Sequence, residues 1–193
     1  MFLQLLLTTA LAQDVQEGDL IFHTSLSSQS EAIQLATNSP FSHVGIVTIE
    51  NGQPMVFEAI RRVSATPLEE WIRRGEGGRY RLMRLKTSLT EGQLSAMRTE
   101  GQEQRSKSYD LLFDWSDEKM YCSELVWKIY QEGAGIELAK PRPMEDYNLS
   151  SPRVRSVVEA RWGSAIKWAF LRGTQSCNSF MGRLGARQSR GRW

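Results

Sequence analysis

Three side chains combine on paper into a nucleophilic set: the Cys122 thiol, the His43 imidazole as its base and the Glu58 carboxylate as the group that orients the base. Geometry links two of them. Asn51-Gly52 stands between two apolar, β-branched runs, Val44 to Ile49 and Met55 to Ile60, and that dipeptide is the strongest short hairpin signal. A two-residue turn there pairs Glu50 with Gln53, so Gly45 faces Glu58 and His43 faces Ile60. Side chains two apart share a face. His43 and Glu58 therefore project from one side as diagonal neighbours, with Cβ atoms within about 7–8 Å. Gly45 leaves room for the carboxylate to lean toward the imidazole. A carboxylate accepting one ring N–H fixes the tautomer and frees the other nitrogen as a base.

Cys122 lies in Tyr121-Cys122-Ser123-Glu124-Leu125-Val126, where an apolar helix opens. The positive end of a helix lowers a thiol pKa, and a nearby imidazolium lowers it further. The Cys122 N–H is the natural donor to a developing oxyanion, and Tyr109 is a candidate to bring a phenol to the same pocket. Each residue also has a purely structural reading. Cys122 fits a small buried residue, His43 a strand-end histidine with its hydrogen bond satisfied, and Tyr109 a core tyrosine. Glu58 sits between Phe57 and Ala59 and needs a partner if buried. His23, at a strand end with no acidic partner in view, reads as a surface residue. Two His and two scattered Cys show no zinc-ligand spacing, so no metal is expected.

The elements that must position these residues alternate between short strands and helices. Gly18-Asp19-Leu20-Ile21-Phe22 reads as a turn into a strand. Ser27 to Thr37 reads as a helix capped by Ser27 or Ser28 and ended by Asn38-Ser39-Pro40. Thr66-Pro67-Leu68-Glu69 has the form of a cap, a first-turn proline and a capping-box glutamate, opening a short helix that ends before Gly75. Arg79 to Lys86 alternates as a strand. Thr90-x-x-Gln93 opens a helix reaching about Lys107, and Ser123 to Tyr130 carries Leu125, Val126 and Ile129 on one helical face. Mixed helices and hairpin-linked strands argue an α+β domain, a small antiparallel sheet packed against helices.

Composition sets the outer limits. The chain has 193 residues, 40% of them apolar and 24% charged. That is one ordinary globular domain and excludes a disordered chain, a collagen-like repeat and a multi-pass membrane protein. Two cysteines are too few for a disulfide scaffold, and no structural disulfide is expected. The net charge of +2 hides an asymmetry: residues 161–193 carry seven Lys or Arg and no acid, so the remainder is net acidic. No nucleic-acid partner is expected. The basic tail, residues 166–193, reads as irregular and offers at most a peripheral contact with a membrane surface. Residues 1–12 end in Ala10-Leu11-Ala12, the small-x-small form of a signal-peptidase site. That predicts export to the periplasm or the exterior, although the run is short and lacks a basic start. Read instead as an N-terminal strand, it leaves the chain cytoplasmic.

The motifs resemble a known family. NlpC-type cell-wall hydrolases have a papain-like fold with Gly-Asp-Leu-x-Phe and Ser-His-Val-Gly-Ile strands following the Cys helix. Here Gly18-Asp19-Leu20-Ile21-Phe22 and Ser42-His43-Val44-Gly45-Ile46 stand in that order, but Tyr121-Cys122-Ser123-Glu124-Leu125-Val126-Trp127 comes after them. That is a circular permutation. More closely, the chain resembles the YaeF/YiiX group of permuted papain-like amidases. The resemblance rests on Ser27 to Thr37, Phe57-Glu58-Ala59, Thr66-Pro67-Leu68 with Trp71, and Tyr109-Asp110 followed by Trp115-Ser116-Asp117. It runs from about Gln16 to Ala165 and implies one hydrolase domain over residues 13–165.

The resemblance implies a Cys-His-Glu thiol hydrolase with Tyr109 as a pocket residue and no cofactor. The substrate class would be an amide in a peptide, a cell-wall fragment or a lipid amide. Two departures stand out. The family's Gly-Lys-Pro-Tyr-Asp is Ser106-Lys107-Ser108-Tyr109-Asp110 here, which changes the turn chemistry around Tyr109. The tail past Ala165 matches nothing in the family pattern. Two other readings stay open: a lipid acyl hydrolase or acyltransferase working through a thioester, and a non-catalytic binding module on the same fold.

Overall fold

The computed structural model describes residues 15–163 and 175–176. Residues 1–12 and Cys177 lie outside them, as does the basic tail apart from Gln175–Ser176. Five antiparallel strands form the central sheet: β1 (Leu20–His23), β2 (His43–Glu50), β3 (Gln53–Ala59), β4 (Val63–Pro67) and β5 (Arg81–Met83). Their spatial order is β4-β3-β2-β1-β5. The hairpin forms in the expected register, from Glu50↔Gln53 to Ile46↔Phe57. Asn51 (φ 52) and Gly52 (φ 74) supply the two positive φ angles that a type I′ turn requires.

Alternation along the strands sends side chains into two layers. Leu20, Phe22, Val44, Ile46, Phe57 and Ala59 face the cluster shared with Met97, Leu125, Val126 and Ile129. Those partners come from α3 (Glu91–Gln104), α4 (Cys122–Lys128) and a π-helical turn, Ile129–Gly133, that extends α4. Ile21, Val47 and Val56 face the other way, onto Leu68, Trp71 and Ile72 of α2 (Leu68–Arg74). A third cluster joins α1 (Ser30–Thr37) to α5 (Pro152–Trp162) through Ala32, Tyr121, Tyr147, Val154 and Val158. Among the described residues no helix is long and apolar enough to cross a membrane.

Several boundaries differ from the sequence expectation, each for a local reason. The first helix starts at Ser30, with Gln29 at its N-cap and no side-chain cap. The Ser30 hydroxyl is spent on Ser42, 2.6 Å away, tying α1 to the residue before His43. Thr66 and Pro67 end β4, which leaves Pro67 at the N-cap of α2 with no side-chain cap. The strand expected over Arg79 to Lys86 shrinks to β5, because Arg84 turns to pair with Asp19, with two bonds of 2.7 Å. The capping box at Thr90 and Gln93 forms as expected. α5 opens on Pro152 and was not anticipated. Inside the expected irregular tail, Gln175–Ser176 (β9) pairs with Arg142–Pro143 (β8). The parallel pair β6 (Ser108–Tyr109) and β7 (Lys119–Met120) lies between α3 and α4 in sequence and carries Tyr109.

Candidate active site

Strand pairing delivers His43 and Glu58 to the α2 side of the sheet, and the tip of α4 brings Cys122 to them. His43 Nε2 lies 2.7 Å from Glu58 Oε2. Gly45 provides the predicted space: a Cβ there would stand 2.4 Å from Val56 Cγ1 and 2.9 Å from the Phe57 carbonyl oxygen. The imidazole is also hydrogen-bonded to Cys122, which leaves Nδ1 for the sulfur. Cys122 opens α4 and is buried. At that first helical position its N–H has no intrahelical acceptor.

Glu58 is fully buried and its two oxygens are saturated. Thr66 Oγ1 donates to Oε1 at 2.6 Å, Trp71 Nε1 to Oε2 at 2.9 Å, and the Arg74 guanidinium to Oε1. Burial alone would raise this carboxyl, but the bond and charge of His43, with Thr66 and Arg74, outweigh it and hold Glu58 down at about 2. Burial likewise pushes His43 down. Its bonds to Cys122 and Glu58, and their charges, win and raise the imidazole from its ordinary 6.5 to about 9. The resulting arrangement holds the imidazole between a carboxylate and the Cys122 sulfur.

Three of Glu58's partners escaped the sequence reading. The sequence reads Thr66 as a helix cap, and Trp71 and Arg74 reach Glu58 only because α2 folds over the sheet. His23 is a correction: it is buried, not on the surface. It pairs directly with His43 across β1 and β2 and stacks on Trp71 at a ring-centroid distance of 3.9 Å. Burial, then the charge of His43, lowers it to about 3, so it stays neutral behind the site. The only forewarning was its place on the same alternation as Ile21.

Tyr109 stands on β6, half-buried. Its ring packs on both the Cys122 cluster and the α1–α5 cluster. Its backbone N–H donates to the Arg61 carbonyl at 2.9 Å. Burial raises its phenol, and the Cys122 charge raises it further. Ser106, where the resembled family has glycine, adopts φ 72.

Comparison with known proteins bears on this geometry. The family model for the permuted papain-like amidase enzyme, YaeF/YiiX, C92 family, matches residues 14–180. The match runs past Ala165 and corrects the expectation that the family pattern stops there. The uncharacterized protein YiiX of Escherichia coli (strain K12) is 42% identical over 157 residues, covering 81% of this chain and 78% of its own. The crystal structure of YiiX from Escherichia coli O157:H7, described as a metalloprotein, has a TM-score of 0.76 at 38% identity and covers 83% of this chain and 94% of its own. The family is one of papain-like cysteine amidases, and the helix that carries Cys122 here follows the strands that carry His43 and Glu58. The family model and the relatives together make this chain a member of the permuted papain-like amidase family, YaeF/YiiX.

Proposed function

We propose that the protein hydrolyses an amide bond in a peptide or cell-wall fragment through Cys122, His43 and Glu58. The observation that carries this reading is one imidazole hydrogen-bonded on one side to a buried thiol and on the other to a buried, saturated carboxylate. With its proton passed to His43, Cys122 Sγ attacks the amide carbonyl carbon, and the carbonyl oxygen becomes an oxyanion facing the Cys122 N–H and the Tyr109 phenol. His43 gives its proton to the leaving nitrogen, the C–N bond breaks, and the amine departs. A thioester to Cys122 remains. Water then loses a proton to His43 and adds to the thioester, and the carboxylic acid leaves as the thiol is restored. Glu58 holds the ring in one orientation throughout.

The relative described as a metalloprotein raises the question of a metal here. Among the described residues no three His, Cys, Asp or Glu side chains are grouped to hold an ion, and the donors at the site are committed to one another. The test is release of amine from a panel of peptide and peptidoglycan-fragment amides. The wild-type chain should cleave at least one class, and Cys122→Ala should abolish that cleavage while retaining the fold. Cleavage that survives in Cys122→Ala would overturn the proposal.

A further inference from the structure

The Tyr109 hydroxyl is a useful oxyanion donor only if its proton points at the substrate, and a phenol O–H rotates freely unless something accepts or donates on its other side. Two residues outside the triad bear on that rotation. Gln29 stands just before α1, and its side chain hydrogen-bonds the Tyr109 phenol. Arg161, on α5, donates to Gln29 Oε1 and is itself held over the Phe113 ring, 4.7 Å from its centroid.

The donor inventory then decides the orientation. A guanidinium has only N–H groups to offer, so the oxygen end of the Gln29 amide must face Arg161. The Gln29 NH2 is the end left for Tyr109, and NH2 only donates. The phenol oxygen therefore accepts from Gln29, and its own proton is turned away from it. The ring packs against the cluster containing Cys122 and the phenol feels the Cys122 charge, which makes the reacting centre on that sulfur the polar target this orientation serves.

We propose that Gln29 is a positioning residue that aims the Tyr109 hydroxyl proton at the oxyanion formed on Cys122, and that Arg161 fixes the amide orientation that makes Gln29 a donor. This rests on the thiol-hydrolase reading above and assigns a chain Arg161–Gln29–Tyr109 contributed by three separate parts of the fold. The partly buried phenol also resists ionisation, because desolvation and the Cys122 charge both push it up, so it keeps the proton it must donate.

Two reagents acting on one sulfur separate this role from a structural one. Iodoacetamide alkylates Cys122 by displacement at carbon, with no oxyanion. p-Nitrophenyl acetate acylates it through a tetrahedral oxyanion and releases nitrophenolate. The readout is the ratio of acylation to alkylation rate on Cys122, with the adduct located by mass spectrometry, in the full chain. Tyr109→Phe should lower that ratio roughly 100-fold, the loss of one oxyanion donor. Gln29→Ala frees the hydroxyl to rotate and should lower it only about 10-fold, the worth of one orienting hydrogen bond.

Gln29→Glu is the diagnostic variant. It keeps the shape and its bond to Arg161, but its carboxylate accepts the phenol proton and turns it off the site. It should match Tyr109→Phe, and combining the two should cost nothing more. A Gln29→Glu ratio equal to wild type, or milder than Gln29→Ala, would overturn the assignment. So would both rates falling together, which would mark Gln29 as structural. Alkylation indifferent to His43→Ala would instead refute the parent mechanism, and the ratio would still decide the role of Gln29.

Discussion

Glu58 accepts from four side chains drawn from β2, β4 and α2, and that saturation lets an anion persist in the interior. The pair it forms with His43 makes stability depend on pH in both directions. Glu58 is depressed, so its contribution is complete above its ordinary 4.5 and is lost as pH falls toward about 2. His43 is raised, so its contribution is complete below 6.5 and is lost as pH rises through about 9. Removing the carboxylate as Glu58→Gln should therefore cost most between these limits, about 3 kcal/mol, and less at either side. Urea midpoints of wild type and variant at pH 3, 5.5 and 9.5 check this; a difference independent of pH would contradict it. At this scale His43 and Glu58 were legible because hairpin arithmetic needs only local sequence. Thr66, Trp71 and Arg74 were not, because their meeting with Glu58 depends on α2 crossing the sheet. His23 was misjudged for the same reason, since the cover over its face of β1 comes from Trp71, 48 positions later.

Among the elements, the hairpin is the part whose register cannot drift. A one-residue slip would turn His43 and Glu58 to opposite faces, and Asn51-Gly52 prevents it by supplying both positive φ angles. Gly45 lets β2 lie tight against Glu58. Gly45→Ala would press a methyl into Val56 and the Phe57 carbonyl, so it should destabilise by about 1–3 kcal/mol and lower activity by shifting Glu58. Ser106 gives the opposite case: it is exposed, at φ 72, and Ser106→Gly should stabilise by about 1 kcal/mol. Thermal melts of both variants should move in opposite directions, and a stabilised Gly45→Ala would refute the packing argument. Helix interiors and the Thr90 capping box were readable from spacing. Helix starts were not, because the expected caps Ser27 and Thr66 bond to Ser25 and Glu58 instead of to helix ends. α5 lacks a strong apolar stripe, so its amphipathic signal was too weak to read.

For the molecule as a whole, the order of motifs along the chain carried the most information. A Gly-Asp strand, a His strand, a Glu strand and then the Cys helix is a permuted papain-like order, and the assembled sheet and α4 follow it. What order could not supply was the packing of α1 against α5, which brings Gln29 and Arg161 together from 132 positions apart. The account's central claim is that this assembly makes a working thiol–imidazole pair, and the rate of Cys122 alkylation across pH, in wild type and His43→Ala, measures that pair directly. An isolated thiol, with a pKa of about 8.5, reacts slowly at pH 5–6. The account predicts fast alkylation of Cys122 in that range, collapsing when His43 is removed. Slow alkylation that follows an ordinary thiol titration, unchanged in His43→Ala, would contradict it.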